Sequence, residues 1–442
     1  MNLFKPISIS LSPNTEKDDI LLAFKLLFQP WHWKNAENTS RHLEEEFKRY
    51  LEVRYAISFN SGRSALIAIL NALDIKKDDE ILLQAFTCNS AVNPILKLGA
   101  KPVFVDVDET INLDPNDLKK KINSESKAIV IQHTFGWPAQ VEEIQKIAKD
   151  SNPPATLPAK GGAPNNLYLI EDCAHALGAK YQGKFCGTFG RHPPAAHAAF
   201  FSFGRDKIIS SVFGGMVVTN NEKIGERIKE FRDKLDYPSD FWIFQQLLHP
   251  ILINCLILPA YGLNQHLGRL LLGLFHKLSI LSKSVYKKEK KGEIPEYFPK
   301  RLPNALAVLA LNQFRKLEKF NKHRRQIASF YEKEFKNTGF NLPLAKSQEG
   351  RTPVFMRYPI LVNFDTDEIL EKLRAKKIFL DDGWRKNPVV PPDTDLKKMK
   401  YIAGSCPRAE KVAQNIVNLP THINISQKEA EKIVNFFKKY GD

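Results

Sequence analysis

Cysteine is scarce in this sequence, and the few cysteines present are spread too widely to form a framework. No two of them stand in a CxxC pair, and their number is odd. This distribution indicates neither a set of disulfides nor a zinc site, so a reducing compartment suits the chain best. The five cysteines are Cys88, Cys173, Cys186, Cys255 and Cys406.

A signal peptide and the signatures of nucleic-acid-binding modules are also missing. The first residues, MNLFKPISISLSPNTEKDD, lack the basic start and the apolar core of a secretory leader, so we expect a cytoplasmic protein. Paired Cys/His fingers and RNP-type aromatic motifs do not occur. A nucleic-acid-binding regulator would therefore rest on charge alone, and no nucleic-acid partner is expected. The net charge of +16 suits a negatively charged small substrate or an anionic membrane surface instead.

No uninterrupted hydrophobic run reaches the roughly 18 residues that span a bilayer. Residues 241–281 come nearest, but Pro250, Pro259 and Arg269 interrupt them, and the basic stretch SKSVYKKEKKGE follows. One interpretation is a helical hairpin that packs on the body of the protein or on a partner subunit. The other is an interfacial segment, in which 241–290 contacts anionic lipid at the inner face of the membrane.

What the sequence does have is length and a regular alternation of strand-like and helical patterns. With 442 residues, 43% of them hydrophobic, it can bury a large core and form more than one domain. Between residues 50 and 220, the short apolar runs YAISFN, EILLQAF, KPVFVDV, AIVIQHTF and LYLIED alternate with helical stretches. This order predicts an α/β fold with a mixed, mostly parallel sheet flanked by helices. Its ligand site is expected at the carboxyl ends of the strands.

The chain is expected to divide into three parts. These are a large domain with an N-terminal arm over 1–240, a hydrophobic and basic insertion over 241–300, and a long connecting helix with a small α+β domain over 301–442. Apolar residues at helical spacing over 304–335 predict the connecting helix. The Pro- and Gly-rich stretches 151–166 and 191–197 are expected to be exposed loops.

One lysine, Lys207, stands in the run FFSFGRDKIISS, which is otherwise typical of a strand and a turn. A lysine there can be a surface residue with a buried stem. It can also be a nucleophilic amine that forms a Schiff base with a carbonyl cofactor. Ser202, five residues earlier, could then bond a phosphate group held near the amine.

Two other junctions bear on that lysine. The SGRSAL turn places Gly62, Arg63 and Ser64 between a strand and a helix, where backbone N–H groups favour a phosphate. The alternative is an ordinary turn in which Ser64 caps the helix. In IEDCAHALGA, Asp172 follows an apolar strand and can pair with a protonated ring nitrogen, with His175 close by. Alternatively, Asp172 only caps a helix and His175 is a satisfied partner.

A phosphate turn, an acid after a strand and a lysine are the parts that a pyridoxal-phosphate enzyme requires. The chain resembles the DegT/DnrJ/StrS-type family of pyridoxal-phosphate sugar aminotransferases, which have the fold-type-I architecture of aspartate aminotransferase. The resemblance covers nearly the whole chain. It is carried by SGRSAL, FTCNSAVNPILKLGAKPVFVDVD, HTFGWPAQVEEIQKIA, IEDCAHALGAKYQGKFCGTFG, FFSFGRDK and CPRAEKVAQNIVNLPTHINIS, in this order.

The resemblance implies a role for each candidate residue. Lys207 would form the Schiff base and move a proton, and Asp172 would keep the pyridine nitrogen protonated. His175 would lie against the ring or near its phenolic oxygen, and Ser202 would help to hold the phosphate. The backbone at Gly62, Arg63 and Ser64 would complete the phosphate site. No metal is implied.

Three departures from the family pattern are visible. Cys88 stands where the family has an aromatic residue that stacks on the cofactor ring, so Cys88 is counted among the cofactor-binding positions. Val212 and Phe213 replace a Gly-Glu pair. Pro299 in YFPKR replaces an asparagine that reaches a neighbouring subunit's phosphate, whereas Arg301 is retained.

These motifs predict a cytoplasmic, homodimeric aminotransferase. It would convert a keto group of a nucleotide-activated sugar to an amine for cell-surface glycan or related amino-sugar biosynthesis, with glutamate as the expected amino donor. Lysine at position 207 favours amino transfer, because a branch of the family with histidine there performs dehydration. The alternative is a catalytically retired cofactor-binding protein that acts as a membrane-associated scaffold or regulator.

Overall fold

The structure is a computed structural model, and it describes residues 6–34, 37–151, 167–188, 197–345 and 350–441. Apart from their end residues 151 and 197, the two expected loops lie outside the described residues.

Within these ranges, short strands and longer helices alternate along the chain. The strands are β1 (Ile7–Ser8), β2 (Tyr55–Phe59), β3 (Glu80–Gln84), β4 (Thr87–Cys88), β5 (Lys101–Val105), β6 (Ser126–Gln132), β7 (Tyr168–Asp172), β8 (Lys180–Tyr181), β9 (Lys184–Phe185), β10 (Ala198–Ser202), β11 (Gly215–Thr219), β12 (Arg351–Thr352), β13 (Arg357–Leu361), β14 (Ile378–Phe379), β15 (Val389–Val390) and β16 (Ile416–Pro420). The helices are α1 (Lys17–Leu27), α2 (Glu37–Leu51), α3 (Gly62–Ala72), α4 (Asn89–Lys97), α5 (Pro115–Lys121), α6 (Val141–Asp150), α7 (Glu222–Asp233), α8 (Asp240–Leu252), α9 (Leu258–Leu263), α10 (Gln265–Lys277), α11 (Asn304–Phe314), α12 (Leu317–Phe335), α13 (Thr366–Ala375), α14 (Pro407–Asn415) and α15 (Gln427–Gly441).

The central sheet has seven strands in the order β2-β11-β10-β7-β6-β3-β5. Strand β11 runs antiparallel to both of its neighbours, and the other adjacent pairs are parallel. Most residues of these strands are buried, as expected for a sheet covered on both faces. The predicted α/β fold with a mixed, mostly parallel sheet is therefore confirmed.

In the part of the chain that the structure describes, buried apolar side chains form three separate clusters. The largest surrounds the central sheet and includes the buried face of α3. The second joins α12, α13 and α15 to the pair β13–β16, and Ile7 of β1 belongs to it as well. The third lies within residues 253–281. The domain boundaries given above stay a prediction.

The helix expected over 304–335 is two helices, α11 and α12. They are separated at Lys316, whose backbone leaves helical geometry at φ −99° and ψ 2°. The Lys316 ammonium is turned towards α1, where it lies 2.8 Å from an Asp18 oxygen and 2.9 Å from an Asp19 oxygen. This tertiary contact is the physical reason that a continuous apolar pattern does not give a continuous helix.

Residues 240–263 form a continuous helical stretch, because a π-helical turn over Ile253–Ile257 joins α8 to α9. Among the described residues, this is the one helix whose length and apolar composition would allow it to cross a membrane. However, 56% of its most apolar window is buried inside the protein, so packing on the body accounts for most of this apolar surface. Helix α10 packs closely on α9, because Gly268 leaves room for the ring of Tyr261.

Candidate functional site

A cavity of about 350 Å³ lies at the carboxyl ends of β7 and β10. These strands are parallel neighbours, with Phe200 in register with Asp172, so the residues that follow them meet at one edge of the sheet. The volume falls in the range of small-molecule sites. Of the eight residues predicted from the sequence, seven line this cavity, namely Gly62, Arg63, Cys88, Asp172, His175, Ser202 and Lys207.

Lys207 and His175 are in direct contact. Lys207 Nζ lies 2.9 Å from His175 Nε2, and the backbone N–H of Phe135 donates to His175 Nδ1 at 3.3 Å. Burial, with the charges of Lys207 and Arg357, holds the pKa of His175 well below its ordinary value, so the ring is neutral. A neutral ring that accepts at Nδ1 carries its proton on Nε2. Nζ of Lys207 lies beside this nitrogen at hydrogen-bond distance, so the imidazole helps to fix the position of the amine inside the cavity.

The backbone of the loop that carries Lys207 is fixed by two residues from distant parts of the chain. Asn14 donates from Nδ2 to the carbonyl oxygen of Lys207. Arg324, on α12, donates from Nη2 to Asn14 Oδ1 at 2.6 Å and to the carbonyl oxygen of Ile208 at 2.9 Å. Sequence reasoning missed Asn14 and Arg324, because no local pattern connects them to a lysine 193 and 117 positions away.

Asp172 ends β7 and forms part of the cavity wall while 6% exposed. Its Oδ1 accepts the backbone N–H of Ala174 at 2.9 Å. Burial raises the pKa of Asp172 to about 6, against the opposing effects of the Ala174 N–H and of Lys207. Because water solvates this carboxylate poorly, a cationic N–H group brought into the cavity would stabilise its ionised form strongly.

The turn before α3 differs in one respect from the expectation. Ser61, not Ser64, caps the helix, because the Ser64 N–H donates to Ser61 Oγ at 3.1 Å. The Ser64 hydroxyl donates to Asn60 Oδ1 at 2.7 Å, and Ser64 lies behind the turn and outside the cavity wall. Gly62 and Arg63, the first residues of the helix, do line the cavity.

Close packing shapes this turn. A Cβ on Gly62 would lie 3.1 Å from Ser202 Cβ, and one on Gly215 would lie 2.5 Å from the Ser61 backbone. Strand β11 thus approaches the helix N-terminus at a distance that only a glycine at position 215 permits, and β10 brings Ser202 beside Gly62. A helix N-terminus with a hydroxyl at its side is suited to a phosphate group.

Cys88 is half-buried in the wall, with Sγ 3.3 Å from Ser90 Oγ. Trp384 also lines the cavity, and its ring lies edge-on to His175, with 5.0 Å between ring centres. Beside Trp384, the Asp382 carboxylate pairs with Arg357 Nη1 at 2.7 Å. Sequence reasoning missed Trp384 and Asp382. Both residues lie in the short stretch DDGW, which was not a candidate because it follows no strand of the central sheet.

The segment YFPKR lies against the phosphate turn of its own chain. Asn60 Nδ2 donates to the carbonyl oxygen of Tyr297 at 2.6 Å, and the Lys300 N–H donates to Asn60 Oδ1 at 3.2 Å. The guanidinium of Arg301 lies over the ring of Tyr237 at 4.8 Å. The segment that carries Pro299 therefore belongs to the surroundings of the site.

Among the described residues, one group of side chains has the composition of a metal site: His133, Glu171 and Cys173. His133 Nε2 lies 3.1 Å from Glu171 Oε2, and the Ala139 N–H donates to His133 Nδ1 at 3.0 Å. Both ring nitrogens are thus engaged in hydrogen bonds, and the group lies outside the residues that line the cavity.

The cavity offers what the expected cofactor requires. It has an amine, a carboxylate with a raised pKa, and a helix N-terminus with a neighbouring hydroxyl. The glycine-lined approach of two strands leaves a cradle at that N-terminus. The residues present therefore fit pyridoxal phosphate.

Comparisons with known proteins agree with this chemistry. The family model described as the DegT/DnrJ/EryC1/StrS aminotransferase family matches residues 14–235 and 276–438, which leaves 236–275 outside the match. The uncharacterized protein MJ1066 of Methanocaldococcus jannaschii is 30% identical over 414 residues, covering 92% of this chain and 91% of the relative. GDP-perosamine synthase of Escherichia coli O157:H7 is 27% identical over 393 residues, covering 89% and 87%.

Solved structures share the fold. Spr1654 from Streptococcus pneumoniae in its PLP form superposes with a TM-score of 0.72 at 20% identity, covering 99% of this chain and 98% of that chain.

Proposed function

Because the chain belongs to the DegT/DnrJ/EryC1/StrS aminotransferase family, we propose that it transfers an amino group to the keto group of a nucleotide-activated sugar. The family and the aminotransferase class predicted from the motifs are confirmed, as is the cofactor, pyridoxal 5′-phosphate. The substrate, the amino donor and the residue roles below are the proposal. The single observation that carries it is Lys207 Nζ in contact with His175 inside a cavity that also holds Asp172.

Pyridoxal phosphate, when bound, supplies a carbonyl carbon that condenses with amines and a ring that accepts the electron pair released at the substrate carbon. In this proposal the chain's own residues bind, orient and move protons. Lys207 provides the amine and later carries the proton at Nζ. His175, with a neutral ring 2.9 Å from Nζ, orients that amine for attack.

Asp172 holds a proton on the ring nitrogen by remaining an anion beside it. Gly62 and Arg63 offer backbone N–H groups to the phosphate, and Ser202 offers its hydroxyl. Ser64 is left out of this group, because its N–H is already bound to Ser61 Oγ. Cys88 contributes a wall of the cavity, and Trp384 packs against His175 and limits its movement.

A nucleotide sugar is supported by two observations. GDP-perosamine synthase, a relative along most of its length, is named for a nucleotide-linked amino sugar. In addition, Arg205 brings positive charge to the cavity wall, which favours a diphosphate. Glutamate is the proposed donor, and the reaction then yields 2-oxoglutarate and the amino sugar. Its role in cell-surface glycan or related amino-sugar biosynthesis follows from that product class.

The proposal is tested by loading the enzyme with amino groups from L-glutamate and adding keto-sugar nucleotides with GDP, UDP or dTDP. Mass spectrometry should detect an amino sugar whose nitrogen comes from ¹⁵N-labelled glutamate. Transfer of labelled nitrogen to simple 2-oxo acids alone, with none of the keto-sugar nucleotides accepted, would contradict the sugar substrate.

We further propose a homodimer, supported by apolar side chains that α1 and the turn after it leave exposed. Leu21, Phe24, Phe28 and Trp31 are each more than half exposed. Clusters of this kind mark interaction surfaces. Light scattering should give twice the mass of one chain for the cytoplasmic enzyme, and Phe28→Asp with Trp31→Asp should lower that mass. A wild-type mass equal to one chain would contradict the dimer.

The proposal also includes peripheral contact with anionic lipid, through one face of α10. Five exposed leucines form a row here: Leu267, Leu270 and Leu274 lie on α10, Leu263 ends α9, and Leu278 directly follows α10. The basic segment 283–291 follows at once, and most of this leucine row lies in the stretch 236–275 that the family model does not match. An apolar helix face beside lysines is typical of interfacial helices on anionic membranes.

Leu270→Asp combined with Leu274→Asp should reduce binding to phosphatidylserine vesicles at least about tenfold. In the wild type both leucine side chains would move from water into the lipid on binding, and the variant loses this contribution. Flotation of the wild type and variants with anionic and neutral vesicles measures this. Ile402→Asp, which alters an exposed apolar residue outside α10, is the matched control. Wild-type protein that does not float with anionic vesicles would contradict the lipid contact. If the protein instead self-associates through α10, this face binds a second copy of the chain.

A further inference from the structure

Two guanidinium groups lie against one phenyl ring in the wall of the cavity. The Cζ atoms of Arg63 and Arg205 lie 5.8 and 5.4 Å from the centre of the Phe213 ring. All three residues line the cavity. Two cations at such a site repel each other strongly, because little water screens them, unless an anion neutralises each.

Arg63 has its anion. Its Nη1 forms an ion pair with Glu289, which is fully buried and also accepts the Tyr286 N–H at 2.8 Å. Burial alone would lower the pKa of Arg63, but the charge of Glu289 raises it above its ordinary value. This pair fixes Arg63 in place and leaves its side chain little capacity for a ligand.

Arg205 forms no ion pair with any carboxylate in the described part of the chain. Its Nη2 donates to Ser282 Oγ, and its Nε is buried without a hydrogen-bond partner. The neighbouring Asp206 is occupied by Arg357 Nη2 at 2.5 Å. Burial lowers the pKa of Arg205 to about 10, which reflects the loss of solvation around the charge. A buried guanidinium without a carboxylate partner is stabilised strongly when an anionic ligand binds to it.

The position of Arg205 indicates which anion it meets. It lies between Ser202 and Lys207 in sequence and faces the same cavity as the N-terminus of α3. We propose that Arg205 binds a phosphate group inside this cavity, from the same chain that supplies Lys207. Its fork of donors can engage two phosphate oxygens at once.

The inference rests on the proposed function, because that function brings two phosphate-bearing molecules to the cavity. One is the cofactor, with its phosphate ester, and the other is the nucleotide sugar, with its diphosphate. The shared chemistry is phosphate recognition by an arginine that sequence reasoning did not single out.

The experiment compares Arg205→Gln with wild type by spectroscopic titration of the apoenzyme with pyridoxal phosphate and with pyridoxal. The same variants are titrated with GDP and dTDP by calorimetry in the cofactor-loaded enzyme. Arg351→Gln is the matched control, because Arg351 also lies over a ring, that of Tyr181, and lies outside the cavity. Arg205→Lys keeps the charge and serves if Arg205→Gln fails to fold.

A loss of at least about tenfold in affinity is expected for Arg205→Gln, and a smaller loss for Arg205→Lys, because the lost bond joins two charged groups. Weaker binding of pyridoxal phosphate with unchanged binding of pyridoxal would assign Arg205 to the cofactor phosphate. Weaker binding of nucleoside diphosphates alone would assign it to the substrate. Changes below about twofold for every ligand would overturn the inference. If the wild type itself fails to bind pyridoxal phosphate, the proposed function fails instead.

Discussion

Replacing Lys207 with alanine is expected to lower the rate of amino transfer at least about 10³-fold, because one side chain supplies both the covalent attachment and the proton transfer. The neutral His175 ring at 2.9 Å orients the amine, but it has no nucleophilic nitrogen free to replace it, since Nδ1 accepts the Phe135 N–H. Steady-state and single-turnover rates of nitrogen transfer from glutamate measure the effect.

Lys207→Arg distinguishes chemistry from charge. Arginine keeps the positive charge near Asp172 but stays protonated, so we expect a loss as large as that of alanine. Added methylamine should restore part of the lost proton transfer in Lys207→Ala and none in the wild type. Lys184→Ala, on the exposed strand β9, is the control. A Lys207→Ala enzyme within tenfold of wild type would show that Lys207 is a structural lysine.

Asp172→Asn is expected to separate activity from stability. Transfer should fall at least about 10²-fold, because an amide cannot hold a proton on the ring nitrogen by charge, and losses of this size follow removal of one preorganised electrostatic group. The asparagine Oδ1 can still accept the Ala174 N–H, so the local turn should persist. Rates with saturating cofactor test the first half of the prediction.

The apoprotein should become more stable with the same change. Burial raises the pKa of Asp172 from 3.8 to about 6, so the folded apoprotein holds this proton more tightly than the unfolded chain does. The stability that this group contributes is present below pH 4 and is lost as pH rises through 6. Two pKa units correspond to about 3 kcal/mol, and Asp172→Asn should therefore raise the free energy of unfolding by up to that amount above pH 7.

Denaturant unfolding of both apoproteins between pH 4 and pH 8 measures this. The difference between them should be small at pH 4 and should grow through pH 6. A difference that does not change with pH would mean that the Asp172 carboxyl is not the group that titrates. A variant that is less stable at pH 8 would mean that the charge of Asp172 is already neutralised in the apoprotein.

Residues that end strands were the most predictable part of this molecule. Asp172 and Ser202 end parallel neighbours, and His175 and Lys207 follow within five residues. Since parallel strands place their carboxyl ends at one edge, a linear order of motifs was enough to bring these side chains to one cavity.

Features set by distant contacts were not predictable in the same way. The break between α11 and α12 depends on Lys316 reaching Asp18 and Asp19 of α1, and the Lys207 loop depends on Arg324 and Asn14. Trp384 enters the cavity from beyond the central sheet. No local period or turn signal encodes such contacts, because they arise from packing between elements hundreds of residues apart.

The apolar stretch 241–281 shows the same limit. Its composition was compatible with packing on the body or with lipid contact, and the outcome depends on which faces α1 and α10 cover. The structure buries much of α8 against the body of the protein and leaves leucines of α10 exposed, and lipid contact through α10 stays a proposal.

The most direct test of amino transfer through Lys207 is the visible absorption spectrum of the cofactor-loaded protein before and after addition of L-glutamate, with Lys207→Ala alongside. Glutamate is expected to remove the visible band of the wild type while an equal amount of 2-oxoglutarate forms. The variant should bind the cofactor with a different spectrum and should produce no 2-oxoglutarate at a comparable rate. A wild-type band that neither glutamate nor any other amino acid alters would contradict amino transfer, and would favour a cofactor-binding scaffold.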